Sequence, residues 1–136
     1  MGAAVSVLHE SEYEAAQAIL KGLKKRCEKY AGEVETAYDR LKTHERQIAD
    51  GELETVREVQ AFLLDDIGLP DDPEKAAAQL KLYIVSCRTY VWRLRRDAHR
   101  EYNSAAGVNY KALGAALAVE ELLTCLPKEA YKDEVV

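Results

Sequence analysis

One side of a helix can be traced without interruption from Tyr13 to Ile48. Tyr13, Ala16, Leu20, Leu23, Cys27, Tyr30, Val34, Ala37, Leu41, His44 and Ile48 alternate at spacings of three and four. This heptad seam predicts a first helix over about 11–49, with Ser11 as its cap and Asp50-Gly51 as its stop. Charged residues of both signs fill the positions between, which places the opposite side in solvent. A shorter second helix is expected over about 52–66, turning Leu53, Val56, Val59, Phe62 and Leu63 inward and ending at Gly68-Leu69-Pro70. Asp72-Pro73 is a strong start signal: the carboxylate accepts from free first-turn amides, and proline lacks only a donor that would go unused. The third helix, over about 73–102, repeats the seam with Ala77, Leu80, Ile84, Cys87, Val91, Leu94 and Ala98. Asn103-Ser104 interrupts it and caps a fourth helix over about 105–126, rich in Ala and Leu and closed by Pro127. Gly107 and Gly114 weaken that helix locally but permit close approach of a neighbour.

Turns of a few residues between consecutive helices force antiparallel neighbours. The expected fold is therefore all-α, an antiparallel up-down-up-down four-helix bundle forming a single domain over 1–136. A hydrophobic share of 48% with only 7 Gly and 3 Pro fits a folded helical chain and not a disordered one. The net charge of −5 argues against general nucleic-acid binding, which needs an excess of Lys and Arg. Even the most apolar stretch, Ala112 to Leu126, is interrupted by Glu120 and Glu121, so no membrane span is expected. The amino terminus lacks a basic region followed by an apolar segment, as expected of a non-exported chain or of a trimmed mature form. The charged tail from Lys128 to Val136 is expected to fray or to serve in docking.

No catalytic or metal-binding constellation is visible. His9, His44 and His99 lack the spacing of a zinc hydrolase, and neither Leu41 nor Arg96, three residues before a histidine, supplies the carboxylate of a di-iron bundle. No phosphate-cradling glycine run exists, and Ser86 lies within a helix, not at a nucleophile turn. The expectation is a non-enzyme with no metal and no cofactor. Cys27, Cys87 and Cys125 are odd in number and far apart, and read as buried thiols rather than a disulfide pair. The most distinctive cluster is Arg88, Arg93, Arg95, Arg96 and Arg100, broken by Asp97 and accompanied by Tyr90, Trp92 and His99. Its plain reading is a solvated face whose arginine stems cover the core. Its sharper reading is a docking surface, because Arg with Tyr and Trp is enriched at interface hot spots and a positive patch on an acidic chain orients it toward an acidic partner.

The end of the third helix and the fourth carry a resemblance. Asp97-Ala98, Asn103, Ala105, Tyr110, Ala112-Leu113, Leu122-Leu123 and Leu126-Pro127 resemble the PsbQ family of extrinsic lumenal subunits of photosystem II. Upstream, Arg46-Gln47-Ile48-Ala49-Asp50-Gly51 resembles that family's turn between helices one and two, and Leu69-Pro70-Asp71-Asp72-Pro73-Glu74-Lys75-Ala76 its charged start to helix three. The similarity covers about Tyr38 to Pro127. Lack of a Trp near Glu52-Leu53, a shorter second helix and a more arginine-rich third helix make it similar to a divergent algal type. The resemblance implies a non-catalytic protein of the thylakoid lumen, peripheral on the membrane complex. Such a protein docks on photosystem II and helps the oxygen-evolving cluster retain calcium and chloride without ligating them.

Two alternatives stay open. Leu69-Pro70-Asp71-Asp72 with Tyr90, Arg95, Arg96 and Asp97 resembles the small four-helix assembly and repair factor of photosystem II, though the long first helix fits it less well. Met1-Gly2-Ala3-Ala4-Val5-Ser6 matches the myristoylation pattern, with Gly2 as acceptor and Lys21, Lys24, Lys25 and Arg26 as a distant basic second signal. That reading makes the chain a peripheral, matrix-like helical protein on the cytoplasmic membrane face.

Overall fold

The computed structural model describes residues 2–63, 68–104 and 107–128, and of residues 2–10 the backbone alone. Within them the chain is all-helical: α1 (Gly2–Ala37), a 3-10 turn (Tyr38–Arg40), α2 (Thr43–Phe62), α3 (Pro73–Asn103) and α4 (Tyr110–Leu123), with no strand among the described residues. α1 and α4 each pack against both α2 and α3. The core these helices enclose is made of Ala16, Leu20, Leu23, Cys27 and Ala31 from α1, Leu53, Val56 and Val59 from α2, Leu80, Ile84, Cys87 and Val91 from α3, and Ala118, Val119 and Leu122 from α4. Removing this apolar surface from water is the main force holding the helices together.

The first two helices divide differently from the sequence expectation. The seam does not run to Ile48: α1 ends at Ala37, Leu41 and Lys42 are extended, and a new helix begins at Thr43. Neither glycine nor proline marks the break, and Lys42 at the new N-cap makes no side-chain capping bond. The corner is held by tertiary contacts instead. Tyr38 Oη donates to Asp50 Oδ1 at 2.9 Å, the Arg46 guanidinium donates to the Asp39 carbonyl and lies over the Tyr38 ring, and Arg57 pairs with Glu35 at 2.9 Å. His44 is accordingly not half-buried on an α1 seam; it is exposed in the first turn of α2, its ring 4.3 Å from that of Tyr110.

Gly51, expected as a helix stop, lies buried in the middle of α2. A side chain there would run into the Lys111 carbonyl of α4, and one on Gly114 would run into the Ile48 carbonyl of α2. The two glycines thus face each other's backbones and bring α2 and α4 closer than side chains would allow, a spacing at which Cα–H groups meet carbonyl oxygens. The helix tolerates Gly51 because this contact compensates a conformational cost of about 1 kcal/mol.

α3 begins as its start signal implies, with the Asp72 side chain accepting from Glu74 N at 3.3 Å and Pro73 in the first turn. α4 starts later than expected. Ser104 closes α3, its hydroxyl donating to the Glu101 carbonyl, and Gly107 makes a turn at φ 115° that disfavours other residues. Asn109 caps α4 by accepting from Ala112 N at 3.0 Å. The expected ends of the second helix at Asp66 and starting point of the fourth at Ala105, and the tail beyond Lys128, lie outside the described residues.

Candidate protein-docking surface

α3 is 31 residues long, and only one of its sides faces the core. Ala77, Leu80, Ile84, Cys87, Val91 and Ala98 are buried. The opposite side carries Arg93, Arg96 and Arg100, all exposed. Arg93 and Arg100 form no ion pair or hydrogen bond with any described residue, whereas Arg96 meets only its neighbour Asp97, at 3.5 Å. Exposed pairs of this kind contribute little, so the guanidinium of Arg96 remains available to a partner.

The other two arginines of the cluster do different work. Arg95 is held to Glu120 of α4 at 2.6 Å, a carboxylate that His99 also approaches at 3.7 Å. Arg88 is a correction to the expected docking set: only 7% of it is exposed, and its Nη1 donates to the carbonyls of Leu123 at 3.0 Å and Leu126 at 2.7 Å. The Leu123 carbonyl also accepts from Leu126 N at 3.2 Å in the turn beyond α4, and Arg88 adds an internal C-cap reaching across from α3. Of the accompanying aromatics, Tyr90 turns inward to stack on Phe62 at 4.5 Å between ring centroids, and Trp92 is half-buried. Helical spacing carries this separation: at about 100° per residue, Arg93, Arg96 and Arg100 fall opposite the buried seam of α3, whereas Arg88 and Arg95 flank it.

No family model, curated protein or solved structure matches this chain.

Elsewhere, some charges are paired within the chain, while others, Lys21, Lys24, Lys25 and Arg40 among them, are exposed. An open groove of about 980 Å³ between α2 and the α3–α4 corner is lined by Asp50, Glu54, Glu58, Lys111, Val108 and Tyr110 among others. Glu54 pairs with Lys111 at 2.6 Å and Asp50 accepts from Tyr38, while partial burial and then the charge of Glu54 push the Glu58 carboxyl above its usual range. A second polar cluster joins α1, α2 and α4: Arg26 pairs with Glu121 at 2.5 Å, and Tyr30 Oη donates to Glu52 Oε2. Burial, and after it the bond to Glu52, raises the Tyr30 phenol, and burial raises the Glu52 carboxyl against the lowering effect of that same bond.

Among the described residues, no group of three or more His, Cys, Asp and Glu is placed to hold a metal ion, and no helix is long and apolar enough to cross a membrane. Cys27 and Cys87 are buried free thiols, and Cys125 is a half-buried one. Gly2, the candidate acylation site, is the first residue of α1.

Proposed function

We propose that this chain is a non-catalytic docking subunit that uses the outward side of α3 to bind an acidic protein surface, the partner being the lumenal face of photosystem II. The observation that carries the reading is the exposed trio Arg93, Arg96 and Arg100 on a chain of net charge −5, two of them without an internal counterion. Such a patch steers association and orients the bound molecule. We place the four helices in an antiparallel up-down-up-down bundle. In support, the pairs Tyr38–Asp50 and Glu35–Arg57 run α1 and α2 in opposite senses, and Arg95–Glu120 with Arg88–Leu126 do the same for α3 and α4. The bundle would act in the thylakoid lumen as a fitted cover that stabilises the oxygen-evolving complex.

A second reading, the assembly and repair factor, gains from one feature. Arg46 to Gly51, which resembles a turn of the extrinsic-subunit family, lies inside α2 and not at a turn. Presence on assembly intermediates and absence from active oxygen-evolving complexes would favour it.

The test is rebinding to salt-washed photosystem II membranes with Arg93, Arg96 and Arg100 all reversed to Glu. The reading expects loss of binding in the triple variant and salt-sensitive binding of the natural chain. Unchanged, salt-insensitive binding by the variant would sink it.

A further inference from the structure

The outward side of α3 carries a residue that its arginines do not explain. Leu82 is 69% exposed, the most open of the large hydrophobic side chains among the described residues. At about 100° per residue, Arg93 lies within about 20° of Leu82 around the helix, and Arg100 returns to the same line after five full turns. At about 1.5 Å per residue they sit about 16 Å and 27 Å along it. Ser86, Thr89 and Arg96 fill the face between, and none of them is a large apolar residue. Val108 and Leu117, also exposed, belong to the α3–α4 connection and to α4, and so lie off this line.

We infer that Leu82, Arg93 and Arg100 form one bipartite docking line, in which Leu82 enters an apolar socket of an acidic protein surface while the two arginines pair with carboxylates farther along. The inference rests on the docking function proposed above and adds the apolar anchor and the spacing its partner must match. Charge complementarity selects the partner: Arg93 and Arg100 are cations without internal counterions, and a chain of net charge −5 would be steered to an acidic surface through this face. A desolvated apolar anchor beside rim charges is the usual division of labour at an interface, the anchor setting lifetime and the charges setting encounter rate. A lipid surface is a poorer match, because one open leucine, with only Ala78 and half-buried Val85 beside it on a face of Ser, Thr and Arg, offers too little apolar area to embed in a bilayer.

Leu82→Ala tests this without endangering the fold, since the side chain is exposed and alanine is at least as good a helix former. Binding of the natural chain, Leu82→Ala and the Arg93→Ala/Arg100→Ala pair to salt-washed photosystem II membranes is measured over a range of salt, with phosphatidylglycerol vesicles in parallel. Leu82→Ala is expected to weaken membrane binding about tenfold with the salt slope unchanged. The arginine pair is expected to weaken it and flatten the slope, and vesicles are expected to bind none of the three. Binding by the natural chain with Leu82→Ala within twofold of it overturns the bipartite line and leaves the docking function standing. No binding by the natural chain overturns both. Vesicle binding that depends on the same three residues overturns the protein-partner inference in favour of lipid.

Discussion

Glycine normally weakens a helix, and at exposed helical positions its replacement by alanine stabilises by about 0.5 to 1 kcal/mol. Gly22 and Gly32 of α1 meet this condition, with nothing near the position an added methyl would take. Gly51 and Gly114 reverse it. A methyl on Gly114 would overlap the Ile48 carbonyl oxygen and stand 2.8 Å from its carbon and 3.0 Å from Glu52 N, and one on Gly51 would overlap the Lys111 carbonyl in the same way. The obstructing atoms are backbone on both sides, so no rotamer change relieves the clash and the helices must move apart. Overpacking of this kind costs about 3 kcal/mol at the upper end of its range, from which the helix-propensity gain of about 1 kcal/mol is subtracted. The expected net loss is about 2 kcal/mol for either Gly→Ala substitution. In urea, followed by circular dichroism at 222 nm, this lowers the midpoint by about 1 M for a slope of about 2 kcal/mol/M. The double substitution should cost less than the two singles added, because helices already separated by one methyl accommodate the second. If Gly51→Ala or Gly114→Ala raised the midpoint as Gly22→Ala should, the backbone contact between α2 and α4 would be refuted.

Three further outcomes follow from the side-chain geometry. Arg88→Met removes the donors to the Leu123 and Leu126 carbonyls and should destabilise by about 2 kcal/mol, with faster amide exchange near the end of α4 as the specific readout. Burial pushes the Cys27 thiol up to about 11, helped by nearby Cys125, and the Cys87 thiol up to about 12. In the native state at pH 8, a thiol reagent should therefore modify half-buried Cys125 first and the other two only at the rate of unfolding. Glu52, whose carboxyl is raised by burial, favours the folded state most when protonated. Its contribution is complete below the unfolded value of about 4.3 and is lost as pH rises through the higher folded value. Melting temperature against pH should show Glu52→Gln gaining on the natural chain across that rise, and parallel curves would contradict the assignment.

What the sequence made legible was decided by local chemistry. The seams of α1 and α3 identified the core side of each helix, because burial of Leu23, Cys27, Ile84 and Val91 depends on helical spacing alone. The Asp72-Pro73 start of α3 was readable because its cap lies within two residues of the bond it makes. The break after Ala37 was not readable: the three-and-four spacing continues through it by coincidence, and its fixing contacts come from Asp50 and Arg46, up to twelve residues away. Gly51 reads as a stop in the sequence because its reason for being glycine, the Lys111 carbonyl, lies on another helix. Of the arginine cluster, Arg93, Arg96 and Arg100 are exposed opposite the seam, as helical spacing implies, and Arg95 and Arg88 flank it; the groups on or beyond α4 that hold those two lie outside any pattern within α3.

The claim that the outward side of α3 is the docking surface can be read from arginine labelling. With phenylglyoxal, Arg93, Arg96, Arg100 and the exposed Arg40 beside the α1–α2 corner should all be modified in the free chain, followed by peptide mass spectrometry. Once the chain is bound to salt-washed photosystem II membranes, the account predicts that the three α3 arginines are protected while Arg40 stays reactive. Equal modification of Arg93, Arg96 and Arg100 in the bound and free states would contradict it.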